Sequence, residues 1–278
     1  MRFKLIFILF NLVIVVSFLA IYLMPLLMLD LDYAKFFWSR NWGLPLVFLA
    51  IIGLLNTYFI LNWKLFTLLE REEWPALITH LERRIYDKKL IITQQVKILA
   101  NAYLVRSDVE SIGKLENFIR EQKPGILAKF AVVFGVPHLL KNDAAEMAGY
   151  FSQFRHVKGG DGAWIRWDYG FALILKGNTE EAETALAELA AEKLEPILLL
   201  LTIYLLFSLK PNEELALLVE SKREELLKRF TREKWQGEIE RGKGSIQVVI
   251  LQRLIEEATE WLFSENKRDT AAGGIQIH

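Results

Sequence analysis

The sequence predicts an all-α protein: two N-terminal transmembrane helices followed by an array of paired helices. Two observations carry this. First, two long runs without a formal charge stand at the front of the 278-residue chain, 25 residues between Lys4 and Asp30 and 23 between Arg40 and Lys64. Second, short polar breaks recur between apolar helical stretches: LEREEW from Leu69, VRSDVE from Val105, LKNDAA from Leu140, LKGNTE from Leu175 and LKPNEE from Leu209. Their starts lie 36, 35, 35 and 34 residues apart.

At about 1.5 Å per residue the two apolar runs reach roughly 37 and 34 Å, enough to cross a hydrocarbon core of about 30 Å with some tilt. A cleaved signal peptide would have an apolar core of about 7–15 residues followed by small residues. Here the run is longer, and Leu26 to Leu29 are large. The chain has no cysteine, hence no lipid-modified Cys and no disulfide framework. The expected spans are residues 5–29 and 41–63, making 1–63 a transmembrane hairpin, with Pro25 near the end of the first span.

Trp38 and Trp42 fall at one expected interface and Trp63 at the other, where an indole keeps its polar edge in the headgroup zone. Arg2 and Lys4 precede the first span, and Lys64, Arg71, Arg83 and Arg84 follow the second. The connecting loop sets Lys35 and Arg40 against Asp30 and Asp32. The positive-inside rule then puts the N-terminus and the large C-terminal part in the cytoplasm.

The whole chain has 34 Lys+Arg and 34 Asp+Glu, of which four and two lie before residue 64. The remainder is therefore slightly acidic. That excludes the basic excess expected of a nucleic-acid partner, and about 215 residues suffice for a helical domain with its own core.

Within the array the small residues recur as well. Ala100, Gly135 and Gly170 lie 35 apart, each seven residues before its turn (Ser107, Asn142, Gly177). A small residue there lets the two helices of one repeat approach closely. Ala182 falls where the second helix packs back on the first. Leu81, Glu116, Phe151 and Leu186 share one repeat phase, at which Glu116 breaks the apolar pattern.

This pattern resembles the tetratricopeptide repeat (TPR) family, whose unit is a 34-residue helix–turn–helix. The best match is YGFALILKGNTEEAETALAEL, Tyr169 to Leu189, with the small residue at Gly170, the turn at Gly177-Asn178, Ala182 and the bulky Leu186. The family's Trp is replaced by Arg166, and its Pro appears as Pro124 and, shifted by two, Pro196. The resemblance covers roughly residues 64–230 and implies a TPR-like αα-hairpin solenoid. With C-terminal capping helices this repeat domain would occupy 64–263, ahead of a disordered tail at 264–278.

The first repeat would open with the end of the second span, through Leu65 to Glu70. The anchor then either runs straight into the array or breaks around Asn62 to Lys64. The 14-residue run Pro196 to Leu209 reads as a buried helix of the array. Residues 213–240 form a charged helical run interrupted by Gly237, Gly242 and Gly244. The amphipathic stretch Ile246 to Phe263 reads as a cap, since a terminal repeat must cover the end of the core.

No constellation for catalysis stands out. His80, His138, His156 and His278 are scattered and read as isolated surface or packing residues. GGDG at 159–162 and GKGS at 242–245 lack a strand–loop–helix context for phosphate binding. The expectation is a protein that is not an enzyme, with no cofactor and no metal.

The resemblance instead implies a groove lined by the first helix of each repeat. Its positions here are Gln94, Lys97, Asn101 and Leu104, then Lys129, Val132, Val136 and Leu139, then Trp164, Trp167, Phe171 and Ile174. Lys97, Asn101, Lys129, Trp164, Trp167 and Phe171 are the candidate protein-binding residues. The alternative is that Trp164 and Trp167 are core, packing on Phe151 and Phe154. Lys97 and Asn101 also resemble one corner of the family's carboxylate clamp, but Trp164 and Asp168 stand where that clamp wants basic residues.

The layout is similar to that of bacterial inner-membrane proteins acting in envelope assembly, secretion or motor complexes. It implies a membrane-anchored scaffold that binds a protein partner at the cytoplasmic face. The alternatives are a constitutive subunit of such a complex, or an accessory factor of a membrane biosynthetic enzyme.

Overall fold

The structure, a computed structural model, describes residues 2–28, 31–141, 143–157, 159 and 161–264. Every regular element among them is helical. The chain divides into two compact units, 1–102 and 103–278.

The first unit holds α1 (Arg2–Met28), α2 (Leu31–Arg40), α3 (Gly43–Leu61), α4 (Trp63–Glu70), α5 (Trp74–Glu82) with a π turn at Arg83–Asp87, and α6 (Thr93–Val105), whose last three residues belong to the second unit. Two of these helices are long and apolar enough to cross a membrane. Mean hydropathy is 2.8 over Lys4–Leu27 and 2.2 over Gly43–Leu61.

α1 and α3 lie side by side in opposite directions. Toward one end Phe7 meets Phe59 at 5.2 Å and Trp63 edge-on at 5.9 Å, and toward the other Phe18 stacks on Phe48 at 3.7 Å. Between these ends the Asn56 amide donates to Asn11 Oδ1 at 2.8 Å. In an apolar layer a side-chain amide needs such a partner, because water supplies none.

The segment read from sequence as a loop between the spans is itself a helix. α2 packs on α1 with Ala34 buried, and the Trp38 indole N–H donates to the Tyr22 carbonyl at 3.1 Å. Pro25, having no N–H, leaves the neighbouring Ile21 carbonyl without its ladder donor.

α3 passes into α4 through a one-residue kink. Asn62 departs from helical angles (φ −104°, ψ 9°). Even so, Asn62 N–H reaches Tyr58 O, and Phe66 N–H reaches Asn62 O. The helix is thus interrupted within the Asn62 to Lys64 segment considered from sequence, at Asn62 alone. Because α4 packs on both α1 and α3, the first compact unit runs on past residue 63.

The second unit continues with α7 (Val109–Gln122), a 3-10 segment at Pro124–Phe130, α8 (Ala131–Leu140), α9 (Ala144–Ser152), α10 (Gly162–Lys176), α11 (Thr179–Ala190), α12 (Pro196–Ser208), α13 (Glu213–Arg229), α14 (Arg232–Gly242), α15 (Ile246–Ile250) and α16 (Gln252–Phe263). From α7 to α13 each helix packs on the next, and α8 also meets α10, as α10 meets α12. α12 is the expected buried helix. It touches α10, α11, α13, α14 and α16, and Leu198 to Leu201 are all buried.

One turn design recurs along the chain. Glu72 (φ 54°), Ser107 (φ 55°), Gly177 (φ 84°) and Lys210 (φ 55°) adopt the left-handed conformation just after α4, α6, α10 and α12. At the first three, the next N–H reaches back to close the helix: Glu73 to Leu68 O, Asp108 to Tyr103 O and Asn178 to Leu173 O, at 3.1, 2.9 and 2.9 Å. This is the Schellman closure. Pro211, having no N–H, cannot make it. The following helices are capped by Asp108 on Ser111 N–H, Asp143 on Ala145 and Glu146 N–H, and Asn212 on Leu215 N–H. The left-handed residues are 35, 70 and 33 positions apart, and the break at Asn142 lies outside the described residues.

Two of the small-residue positions, Gly135 and Gly170, work as the sequence implied. A Cβ at Gly170 would lie 2.8 Å from Leu186 Cδ2, and one at Gly135 would overlap the Phe151 ring. Both pairs join the two helices of one hairpin, and both are 16 residues apart.

The charged run ends at Gly242 and Gly244, as its glycines suggested, but it is also divided at Phe230–Thr231 and not at Gly237. α13 ends at Arg229, Thr231 caps α14 through Lys234 N–H, and Gly237 lies inside α14. Arg223, buried on α13, donates to the carbonyls of Trp261, Leu262 and Ser264 at the end of α16. Carbonyls in the last turn of a helix lack an i+4 donor, and the guanidinium serves them here, while Trp261 O also accepts from Ser264 N–H. The tail expected to be disordered lies, from residue 265 onward, outside the described residues.

Candidate functional site

The proposed groove residues fall into two groups. Lys97 and Asn101 are exposed on α6, and Lys129 is exposed on the 3-10 segment. Trp167 and Phe171 are instead core residues, 0% and 3% exposed, stacked at 5.2 Å with Trp164 edge-on at 6.1 Å. α10 is surrounded by α8, α9, α11 and α12, so these rings face neighbouring helices rather than a client. The aromatic end of the sequence-derived groove is therefore closed. Trp164, at 8% exposed, shows one edge in a small cleft beside Pro196, Ile197, Arg241 and Val248.

A polar cluster ties α7, α8 and α9 together. Glu116, buried on α7, accepts from Arg120 at 2.7 Å and lies 3.6 Å from His138 Nε2. The other imidazole nitrogen of His138 is 2.8 Å from Glu146 on α9, which also meets Lys141 at 3.0 Å. The His138 ring stacks on Tyr150 at 4.4 Å, and the Tyr150 hydroxyl donates to Ala131 O. Burial pulls the Glu116 carboxyl upward, but its bonds to His138 and Arg120 outweigh that and hold it below the usual range. Sequence marked Glu116 only as a break in an apolar phase. Its partner His138 lies on another helix and had read as an isolated packing residue.

A second buried polar pair joins α10 to α15. Asp168, fully buried, accepts from the Gln247 amide at 2.9 Å. Burial pushes its carboxyl well above the usual range, against the pull of that bond.

A groove of about 1000 Å³ is lined by residues of α14, α15 and α16. Ile239, Val249 and Ile255 supply apolar surface, while Glu240, Glu256 and Glu260 stand along its sides. Lys243 engages Glu240 at 2.5 Å, Arg232 engages Glu260, and Gln252 donates to Glu256 at 2.9 Å. No local sequence pattern marked the groove, because its walls come from separate helices.

A family model described as an uncharacterised Treponema protein matches residues 111–264, from the first turn of α7 to just past α16. The chain belongs to this family. It is also 26% identical over 231 residues to an uncharacterized protein of Treponema pallidum (strain Nichols), covering 78% of this chain and 74% of that one. That coverage exceeds the second unit, so the likeness extends into the first. No solved structure matches the chain.

Proposed function

We propose that this protein is a membrane-anchored scaffold whose TPR-like array of helical hairpins binds a protein partner at the cytoplasmic face of a bacterial inner membrane. The observation that carries the reading is the repeated hairpin. A left-handed residue follows the first helix at Glu72, Ser107, Gly177 and Lys210, with the same closing bond at the first three, and glycine lets the two helices touch at Gly135–Phe151 and Gly170–Leu186. Units that pack only on their neighbours build extended surfaces, and such arrays act through those surfaces. α1 and α3 supply the anchor, with the N-terminus and α4 at the same end of the hairpin, as the distribution of Lys and Arg requires.

With the aromatic positions buried, the α14–α16 groove is the surface best formed to receive a partner. Its apolar floor and glutamate sides favour a basic amphipathic helix. The test is purification of the full chain from its native membranes in mild detergent, beside a Val249→Asp/Glu256→Lys variant and a Leu217→Asp control on α13. A scaffold with this groove should lose its partner only in the groove variant. A partner kept by both variants would move the interface elsewhere, and no partner at all would contradict a scaffold.

A second reading, a constitutive subunit of a larger membrane complex, is favoured by one observation. Trp167 and Phe171 are packed inside, which removes the anchors a peptide client would have used.

A further inference from the structure

Cations converge from three elements at the end of the α1–α3 hairpin that carries the N-terminus. Lys4, at the start of α1, lies over the Trp63 ring at 5.8 Å. Lys64 follows Trp63 at the start of α4. α4 rises about 12 Å from the hairpin, and α5 with its π turn runs about 21 Å back, so the π turn returns to the hairpin end. There Arg84 donates to the Asn62 side chain at 3.4 Å. Lys64 and Lys88 are exposed and Arg84 is half-buried.

His80 records this convergence. Its imidazole is held below its usual range by partial burial, and then by the charges of Lys64, Arg84 and Lys88. Lys4, Lys64, Arg83, Arg84, Lys88 and Lys89 are opposed by Glu82 and Asp87 and by Glu70 at the far end of α4.

We propose that Lys64, Arg84 and Lys88, set at the foot of the hairpin, form a binding site for the phosphate of an anionic phospholipid headgroup. The inference rests on α1 and α3 crossing the bilayer, which places Asn62 to Lys64 in the headgroup layer. A planar guanidinium can hold two phosphate oxygens while the lysines add point charge. Cations beside a span gain further from the negative surface of an anionic leaflet. Lipid bound here would brace the kink at Asn62, because Arg84 touches that residue directly.

The test uses the full chain in mild detergent, titrated with phosphatidylglycerol or phosphatidylcholine and read by native mass spectrometry. The wild type should retain phosphatidylglycerol preferentially. Lys64→Gln/Arg84→Gln/Lys88→Gln should lose about tenfold or more of that retention. Lys176→Gln/Lys193→Gln/Lys210→Gln, with equal charge loss, should keep it. The single exposed change Lys64→Gln should give a smaller loss in the same direction.

Equal retention by the two triple variants, or equal binding of both lipids, overturns the proposal. So does displacement of phosphatidylglycerol by inorganic phosphate, which would make this a site for the free anion. Alkaline carbonate extraction separates the lipid site from the anchor on which it rests. A wild type that stays in the membrane pellet but lacks a lipid preference sinks this inference alone. Release of the wild type into the supernatant sinks the anchor reading and this inference with it.

Discussion

Gly170 and Leu186 touch across one helical hairpin so closely that a single added carbon at Gly170 would lie 2.8 Å from Leu186 Cδ2. Leu186 is fully buried and has little room to yield. Replacing Gly170 by Leu should therefore overpack the α10–α11 pair and cost roughly 1–3 kcal/mol. Gly149 offers the contrast. It is exposed inside α9 with nothing near a Cβ, so Gly149→Ala should stabilise by about 0.5–1 kcal/mol. Thermal unfolding followed by helical circular dichroism reads both. An unchanged Gly170→Leu melting temperature would deny the close approach.

The Glu116 cluster predicts an acid-sensitive contribution. Its carboxyl is held below the usual 4.5 in the fold, so the charged form favours folding above about pH 4.5. That stabilisation disappears as pH falls through the lowered value. Glu116→Gln should cost about 1–3 kcal/mol at neutral pH and show a shallower loss of stability in acid. A variant whose acid limb matches the wild type would remove Glu116 as its source.

Asp168 predicts the opposite slope. Its carboxyl is raised above the usual 3.8, so folding prefers the protonated form. The contribution is full below that value and is lost as pH rises through the raised one. Asp168→Asn keeps a neutral partner for Gln247 and removes this dependence. Its melting temperature should exceed the wild type's at neutral pH and converge with it in acid. A lower melting temperature at neutral pH would mean that the carboxylate is bound as an anion.

Much of this architecture was legible in local chemistry. Turn residues and helix caps act within a few positions, so the breaks at Ser107, Gly177 and Lys210 stand out in the sequence at their spacing. Glycine at 135 and 170 could be paired with bulk at 151 and 186 for the same reason. What depends on neighbours further along the chain was not legible. Trp164 and Trp167 occupy helix positions that could face a groove or a core, and only the helices around α10 decide between them. Glu116 announced itself as an anomaly, but His138, on another helix, supplies the explanation. The α14–α16 groove needed three helices in place, and α2 was hidden because its charges read as a loop.

Asn56 offers a test within the hairpin. Its amide bonds Asn11 across the two apolar helices at 2.8 Å. Asn56→Leu should weaken their pairing by about 0.6 kcal/mol, and by no more than about 2 kcal/mol. The yield of a disulfide between Phe18→Cys and Phe48→Cys, whose native rings stack at 3.7 Å, would report the loosening. An unchanged yield would make the Asn pair dispensable.

The most direct measurement is the sidedness of the segment between the two apolar helices and of the C-terminal part. The chain has no cysteine, so Asp32→Cys and Ser264→Cys each give one site for a membrane-impermeant maleimide in spheroplasts. A two-helix anchor with both ends in the cytoplasm predicts labelling of Asp32→Cys in intact spheroplasts and of Ser264→Cys only after permeabilisation. Labelling of both from the same side would contradict it.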